Sequence, residues 1–138
     1  MKPLKIVIDT NVILSGLTSR NGSSYKLLKI LPTNKVAIAL SVPLLFEYES
    51  ILIKNIKNLN LSKTDIDDFL DYLCSIAEHT SIYYLWRPIL KDPYDDHILE
   101  LAVSASAKYI VTFNLKDFTE ANKFGILPIT PDMLLLKL

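Results

Sequence analysis

Hydrophobic positions along the chain alternate between short solid runs and stripes at helical spacing. The run LKIVI at residues 4–8 ends at Asp9 and predicts a buried parallel strand. VILSGL at residues 12–17 predicts a short helix, broken at Asn21-Gly22-Ser23. Tyr25, Leu27, Leu28, Ile30 and Leu31 predict a second helix, stopped by Pro32. KVAIAL at residues 35–40 predicts a second strand. Ser41-Val42-Pro43 marks a helix start, because proline is tolerated in the first turn. That helix would bury Leu44, Leu45, Tyr48, Ile51 and Leu52.

The clearest helix is expected at residues 62–78. Ser62 with Asp65 resembles a capping box with Asp in place of Glu, and Ile66, Phe69, Leu70, Leu73, Ile76 and Ala77 follow at helical spacing. SIYYLW at residues 81–86 is rich in β formers and predicts a third strand. Residues 95–107 predict a helix running directly into the strand YIVT at 109–112. A last short strand is expected at 126–129, with Pro131-Asp132 opening a terminal helix. Strands alternating with helices imply an α/β domain with a parallel sheet covered on both faces. In such sheets ligands and chemistry gather beyond the carboxyl ends of the strands.

The length of 138 residues suits a single domain over 1–138, and a 50% hydrophobic content is enough for one packed core. The one cysteine, Cys74, has no intramolecular disulfide partner, which fits a reducing compartment. The start of the chain reads without an apolar signal core, and no long uncharged apolar stretch suggests a membrane span, so the expected setting is the cytosol. Net charge is zero but unevenly spread. Residues 1–60 carry eight bases against three acids, and residues 61–138 carry seven against twelve. No basic stripe of the kind that grips nucleic acid along its length stands out from the sequence.

The acids are better placed than the bases. Asp9 follows the first strand. Asp92, Asp95 and Asp96 precede a helix in KDPYDDHILELA. Asn114 and Asp117 follow YIVT, and Glu47 lies in the helix after the second strand. Close carboxylates repel, and a divalent cation removes that cost; hard oxygen ligands suit Mg²⁺ or Mn²⁺. Such an ion can polarise a phosphoryl oxygen and activate water, so a carboxylate cluster on an α/β sheet points to phosphoryl chemistry. Each residue alone has a plainer explanation. Asp9 could cap the next helix, the Asp92–Asp96 group could complement a helix dipole, Glu47 could face solvent, and Asn114 could form a turn. Their joint order along the chain is what favours a site.

With VIDTNVILSGL, LFEYESIL, DPYDDHILELA and AKYIVTFNLKDF in this order, the chain resembles the PIN-domain family, in particular VapC-like toxin components of toxin–antitoxin pairs. The resemblance implies one PIN-like domain with a parallel sheet of order 3-2-1-4-5. It also implies an acidic site for Mg²⁺ or Mn²⁺, endoribonuclease activity on RNA, a cognate antitoxin and a homodimer. Carried over by motif, Asp9 and Glu47 match the first two metal-binding acids. The third falls at Asp95, with Asp96 the close competitor. Asn114 stands where the family commonly has Asp, so this site is less anionic; Asp117 lies nearby. Thr10, Asn11 and Thr112 match supporting polar positions.

Other residues carry less. His79 and His97 lack zinc-ligand spacing, and His97 reads first as a structural side chain. Cys74 reads as core, Trp86-Arg87 as packing ahead of RNA stacking, and Lys54 and Lys57 as a solvated helix face. The competing reading is a PIN-fold RNA-binding or scaffold module that has lost catalysis, supported by Asn114. A haloacid-dehalogenase-like phosphatase needs an acid two residues after Asp9, where Asn11 stands. The phosphate-loop and dinucleotide fingerprints are absent from the sequence.

Overall fold

A computed structural model describes residues 2–82 and 95–138. Five strands form one parallel sheet: β1 (Leu4–Ile8), β2 (Val36–Leu40), β3 (Glu78–His79), β4 (Tyr109–Val111) and β5 (Leu127–Ile129). Their order is β3-β2-β1-β4-β5, the order that the resemblance implied. The central strand registers Ile6 against Ile38 on one side and Tyr109 on the other. Ile6, Val7 and Ile8 are fully or almost fully buried, as expected of a parallel strand covered on both faces. Pro128 sits in β5, an edge strand, where its missing N–H leaves no ladder bond unmade.

Among the described residues the α-helices are α1 (Thr10–Thr18), α2 (Ser23–Ile30), α3 (Val42–Lys54), α4 (Ile56–Leu59), α5 (Lys63–Ile76), α6 (Asp96–Ser104) and, after the last strand, α7 (Pro131–Leu135). Ser41 caps α3 by accepting from the Leu44 amide, and Pro43 lies in the first turn. The expected capping box opens α5: Ser62 Oγ accepts from the Asp65 amide at 3.0 Å, and Asp65 returns the bond to the Ser62 amide at 2.9 Å. Its apolar stripe buries Ile66, Leu70 and Leu73. Helices α1 and α2 cross closely at Gly16, where a Cβ would lie 2.5 Å from Leu28 Cδ1.

The third strand departs from expectation. It forms at Glu78–His79, directly after α5, whereas residues 81 and 82 lie outside any strand and 83–86 lie outside the described residues. Ala77 ends α5 in extended conformation, so the chain enters pairing with β2 at once, and Thr80 N–H continues it to the Leu40 carbonyl. Both strand residues are exposed and polar, so this short edge strand leaves no hydrophobic signature. Helix α6 is also shorter than its pattern, because Ser106 adopts positive φ and turns the chain into β4. A 3₁₀ segment at Leu115–Phe124, unexpected from periodicity, buries Phe118 and Ala121.

Candidate functional site

Asp9 stands one residue past β1, where the backbone turns into α1. Its amide still donates to the Val111 carbonyl at 2.8 Å, holding the turn against β4. Its side chain accepts twice: Oδ1 from the Thr10 amide at 2.8 Å and Oδ2 from the Thr112 hydroxyl at 2.7 Å. Thr112, fully buried, accepts in turn from the Asn114 amide at 2.9 Å. The helix-capping explanation of Asp9 is therefore correct as far as it goes, and the same carboxylate is also tied across the sheet to β4. Only 7% of Asp9 is exposed.

Glu47 reaches this point from α3. Thr10, the first residue of α1, donates its hydroxyl to Glu47 Oε2 at 2.6 Å. The next α3 residue, Tyr48, is buried and donates its hydroxyl to the Ile8 carbonyl, locking α3 onto the end of β1. From the first turn of α6, His97 brings Nε2 to 3.6 Å from Glu47 Oε2, an ion pair when the imidazole is protonated and too long for a formed hydrogen bond. Two elements, α1 through Thr10 and α6 through His97, thus meet the Glu47 carboxylate at one of its oxygens.

The electrostatics follow from this packing. Burial pushes the Asp9 carboxyl above its ordinary value, and repulsion from Glu47 adds to it; the hydrogen bonds from Thr112 and Thr10 and the His97 charge oppose the rise without cancelling it. Burial also pushes Glu47 upward, but there the interactions with His97 and Thr10 prevail and the carboxyl lies below its ordinary value. The buried Tyr48 hydroxyl is held well above the usual range by desolvation and by the two carboxylates beside it. No lysine or arginine among the described residues pairs with Asp9 or Glu47.

Asp95 immediately precedes α6 and is half-buried, whereas Asp96, in its first turn, is 1% exposed. Both are engaged with neighbouring groups. Asn114 is exposed at the end of β4, with its amide turned to Thr112, and Asp117 follows in the 3₁₀ segment, half-buried. Asn11 keeps Oδ1 buried with no hydrogen-bond partner among the described residues. Asp92, Trp86 and Arg87 lie outside them. By sequence Tyr48 reads as core and His97 as a structural side chain, whereas both stand beside the acids. The spacing of Tyr48 to Glu47 and of His97 to Asp96 is the signal that could have raised them, since each neighbours a candidate acid.

A cation fits the donor set in kind. Asp9, Glu47 and Asn11 Oδ1, the last buried without a hydrogen-bond partner among the described residues, are hard oxygen donors; Asp9 is destabilised by burial and by Glu47, and His97 is the basic side chain that approaches Glu47. Yet no group of three or more acid, histidine or cysteine side chains among the described residues is gathered closely enough to hold an ion unaided. Among the described residues the site is thus a partial cage.

A parallel α/β sheet with acids converging at its carboxyl edge defines a class of fold, and sequence comparison specifies it further. The PIN domain profile matches residues 5–116, and the chain belongs to the PIN-domain family. Among solved structures it is similar to that of VapBC2 from Rickettsia felis bound to a DNA fragment from their promoter. The TM-score is 0.63 at 19% identity, covering 92% of this chain and 98% of that one. At that identity the likeness speaks for the fold. No curated protein matches the chain in sequence.

Proposed function

We propose that this PIN domain is a Mg²⁺- or Mn²⁺-dependent endoribonuclease acting as the toxin of a type II toxin–antitoxin pair in the cytosol. The observation that carries the reading is the pair Asp9 and Glu47, brought from separate elements to one edge of the sheet and linked through Thr10. Asp9 and Glu47 would hold the ion, with a third acid from the Asp95–Asp96 pair. Sequence spacing favours Asp95, and the deeper burial of Asp96 supports the competitor. When bound, the ion supplies Lewis-acid stabilisation of the phosphoryl oxygens and lowers the pKa of attacking water.

The chain's own residues do the positioning. Thr112 and the Thr10 amide fix both oxygens of Asp9. Thr10 and His97 meet Glu47 at Oε2 and leave Oε1 as its open oxygen among the described residues. Asn114 can orient a water by hydrogen bonding but brings no charge, so a second cation would be held less tightly than by an acid. Next to this edge, His97, Ser41, Pro43, Thr80 and Ser81 line a cavity of about 310 Å³, room for part of an RNA strand beside the acids. Val42, Phe46 and Ile53 form an exposed apolar face of α3, a surface suited to an antitoxin or to a second copy in a homodimer. The similarity to the VapBC2 assembly supports a toxin role.

Asn114, which brings no charge where the family commonly has an acid, favours the competing reading, a scaffold module without catalysis. Calorimetry with Mn²⁺, with and without a non-cleavable RNA analogue, separates them: binding under either condition supports the nuclease, and none under both supports the scaffold. Paired assays of Asp95→Asn and Asp96→Asn assign the third acid to whichever variant loses metal binding.

A further inference from the structure

A larger cavity, about 650 Å³, opens at the opposite, amino-terminal edge of the sheet. Its lining holds five lysines, Lys2, Lys5, Lys35, Lys108 and Lys137, and no aspartate or glutamate side chain. That is a third of the 15 basic residues of a chain with zero net charge. Lys5 is neutralised by Glu78 at 2.9 Å and also donates to the Ala105 carbonyl. The other four have no carboxylate partner among the described residues. Elsewhere on the surface, Lys63 and Lys123 each pair with a neighbouring acid.

The register places these charges. Lys35 and Lys108 immediately precede β2 and β4, the two neighbours of β1, and are bonded to it through the backbone: Leu4 N–H donates to the Lys35 carbonyl, and Lys108 N–H to the Lys5 carbonyl. Across two strand spacings their backbones stand roughly 10 Å apart. The sheet therefore fixes two cations without a carboxylate partner on either side of one concavity, Lys108 lying over the Tyr109 ring at 5.5 Å, with Lys2 and Lys137 joining them. Concentrated like charge disfavours the compact state, and a multiply charged anion in the concavity relieves it.

We propose that this edge of the sheet is a binding site for a compact polyphosphate of nucleotide size, held by Lys35 and Lys108 with Lys2 and Lys137. The volume lies within the roughly 300–1,000 Å³ of small-ligand sites and differs from the flat patch that a protein partner covers. Lysine binds phosphate as a point charge, and the five lysines of the lining supply several such charges around one concavity. Pro3, Leu4 and Leu138 add apolar surface on which a base or sugar can rest. A carboxylate at Leu138 would offset only one of the four unpaired charges. The polyphosphate has two possible sources, a free nucleoside triphosphate or the 5′-triphosphate end of an RNA strand.

The test is calorimetry on the full chain in chelator, which removes divalent ions from the acidic edge. ATP, AMP, a short RNA with a 5′-triphosphate, the same RNA with a 5′-hydroxyl, and a poly-glutamate peptide are titrated in turn. ATP or the triphosphorylated RNA should bind saturably and more weakly in higher salt. AMP and the 5′-hydroxyl RNA should bind at least roughly tenfold more weakly than their triphosphate counterparts, having fewer charges to neutralise. Lys35→Ala/Lys108→Ala should weaken binding by a similar factor, and with the RNA should flatten the log–log salt slope by about 1.4. Lys63→Ala/Lys123→Ala should bind like wild type. Both lysine pairs are exposed, so melting curves should stay close to wild type. Equal affinity for ATP and the RNA identifies the free nucleotide as sufficient; tighter RNA binding identifies the strand end. Absence of saturable binding by both triphosphates, equal binding of poly-glutamate, or equal loss in the Lys63/Lys123 control overturns the proposal. None of these results depends on the acidic edge cutting RNA.

Discussion

The two edges of the sheet are built from the same strands and could hardly differ more in construction. At the carboxyl edge Asp9, Thr10 and Thr112 are buried and each is held by hydrogen bonds from another element. At the amino edge Lys2, Lys35, Lys108 and Lys137 are exposed and have no carboxylate partner among the described residues, Lys108 resting over the Tyr109 ring. With β1 five residues long, about 16 Å separates them. Rigid, desolvated acids suit a task in which an ion and a water must be positioned within tenths of an ångström. Solvated lysines suit capture of charge with little demand on geometry. The carboxyl edge should therefore respond to substitution in both activity and stability, and the amino edge in affinity alone.

The largest effect is expected from Asp9→Asn. RNA cleavage in Mn²⁺ should fall at least ~100-fold, since each tenfold is roughly 1.4 kcal/mol of barrier and a lost metal contact is worth several. Asn caps a helix as well as Asp does, and removing a buried charge that Glu47 also repels should raise the melting temperature at neutral pH. Undiminished cleavage would remove the carboxyl edge from the mechanism, and an unfolded variant would reduce Asp9 to its capping role.

Thr112→Val comes next. Valine keeps the β-branched shape of a fully buried residue but leaves Asp9 Oδ2 and the Asn114 amide without their partner. A loss of about 1–3 kcal/mol in chemical denaturation is expected, with weaker Mn²⁺ binding. A variant as stable as wild type would show that the cross-sheet bond does not order the site.

The pH dependence sharpens the contrast between the two carboxyls. Asp9 is raised in the folded state, so its charge costs stability that is absent in acid and grows as pH rises from the ordinary aspartate range through the folded value. Glu47 is lowered, so its contribution is present above the ordinary glutamate range and is lost as pH falls through the folded value. In chelator, the stability gain of Asp9→Asn over wild type should vanish at low pH and increase toward neutrality, and Glu47→Gln should show the opposite sign. Parallel melting curves across pH would contradict both assignments.

The smallest effect is expected from Asn114→Asp. The added charge at the exposed end of β4 should tighten Mn²⁺ binding several-fold and leave stability nearly unchanged. Unchanged affinity would place Asn114 outside the ion's reach.

The sequence by itself determined the alternation of elements, the buried character of β1, β2 and β4, and the caps of α3 and α5. These rest on interactions between residues close in the chain, where periodicity and capping chemistry act locally. It also made Asp9 legible as an acid at the end of an apolar strand, and Glu47 as one within the helix after the second strand. Tertiary structure decided what no local pattern encodes. The third strand at Glu78–His79 was set by pairing to β2, since its two polar, exposed residues carry no hydrophobic signal of their own. The partners of Asp9 and Glu47 came from 103 and 37 residues away in Thr112 and Thr10, and His97 was turned from an isolated histidine into a neighbour of Glu47. The basic cavity was invisible for the same reason. Lys5, Lys35 and Lys108 are dispersed along the chain, and only the register of three parallel strands sets them side by side.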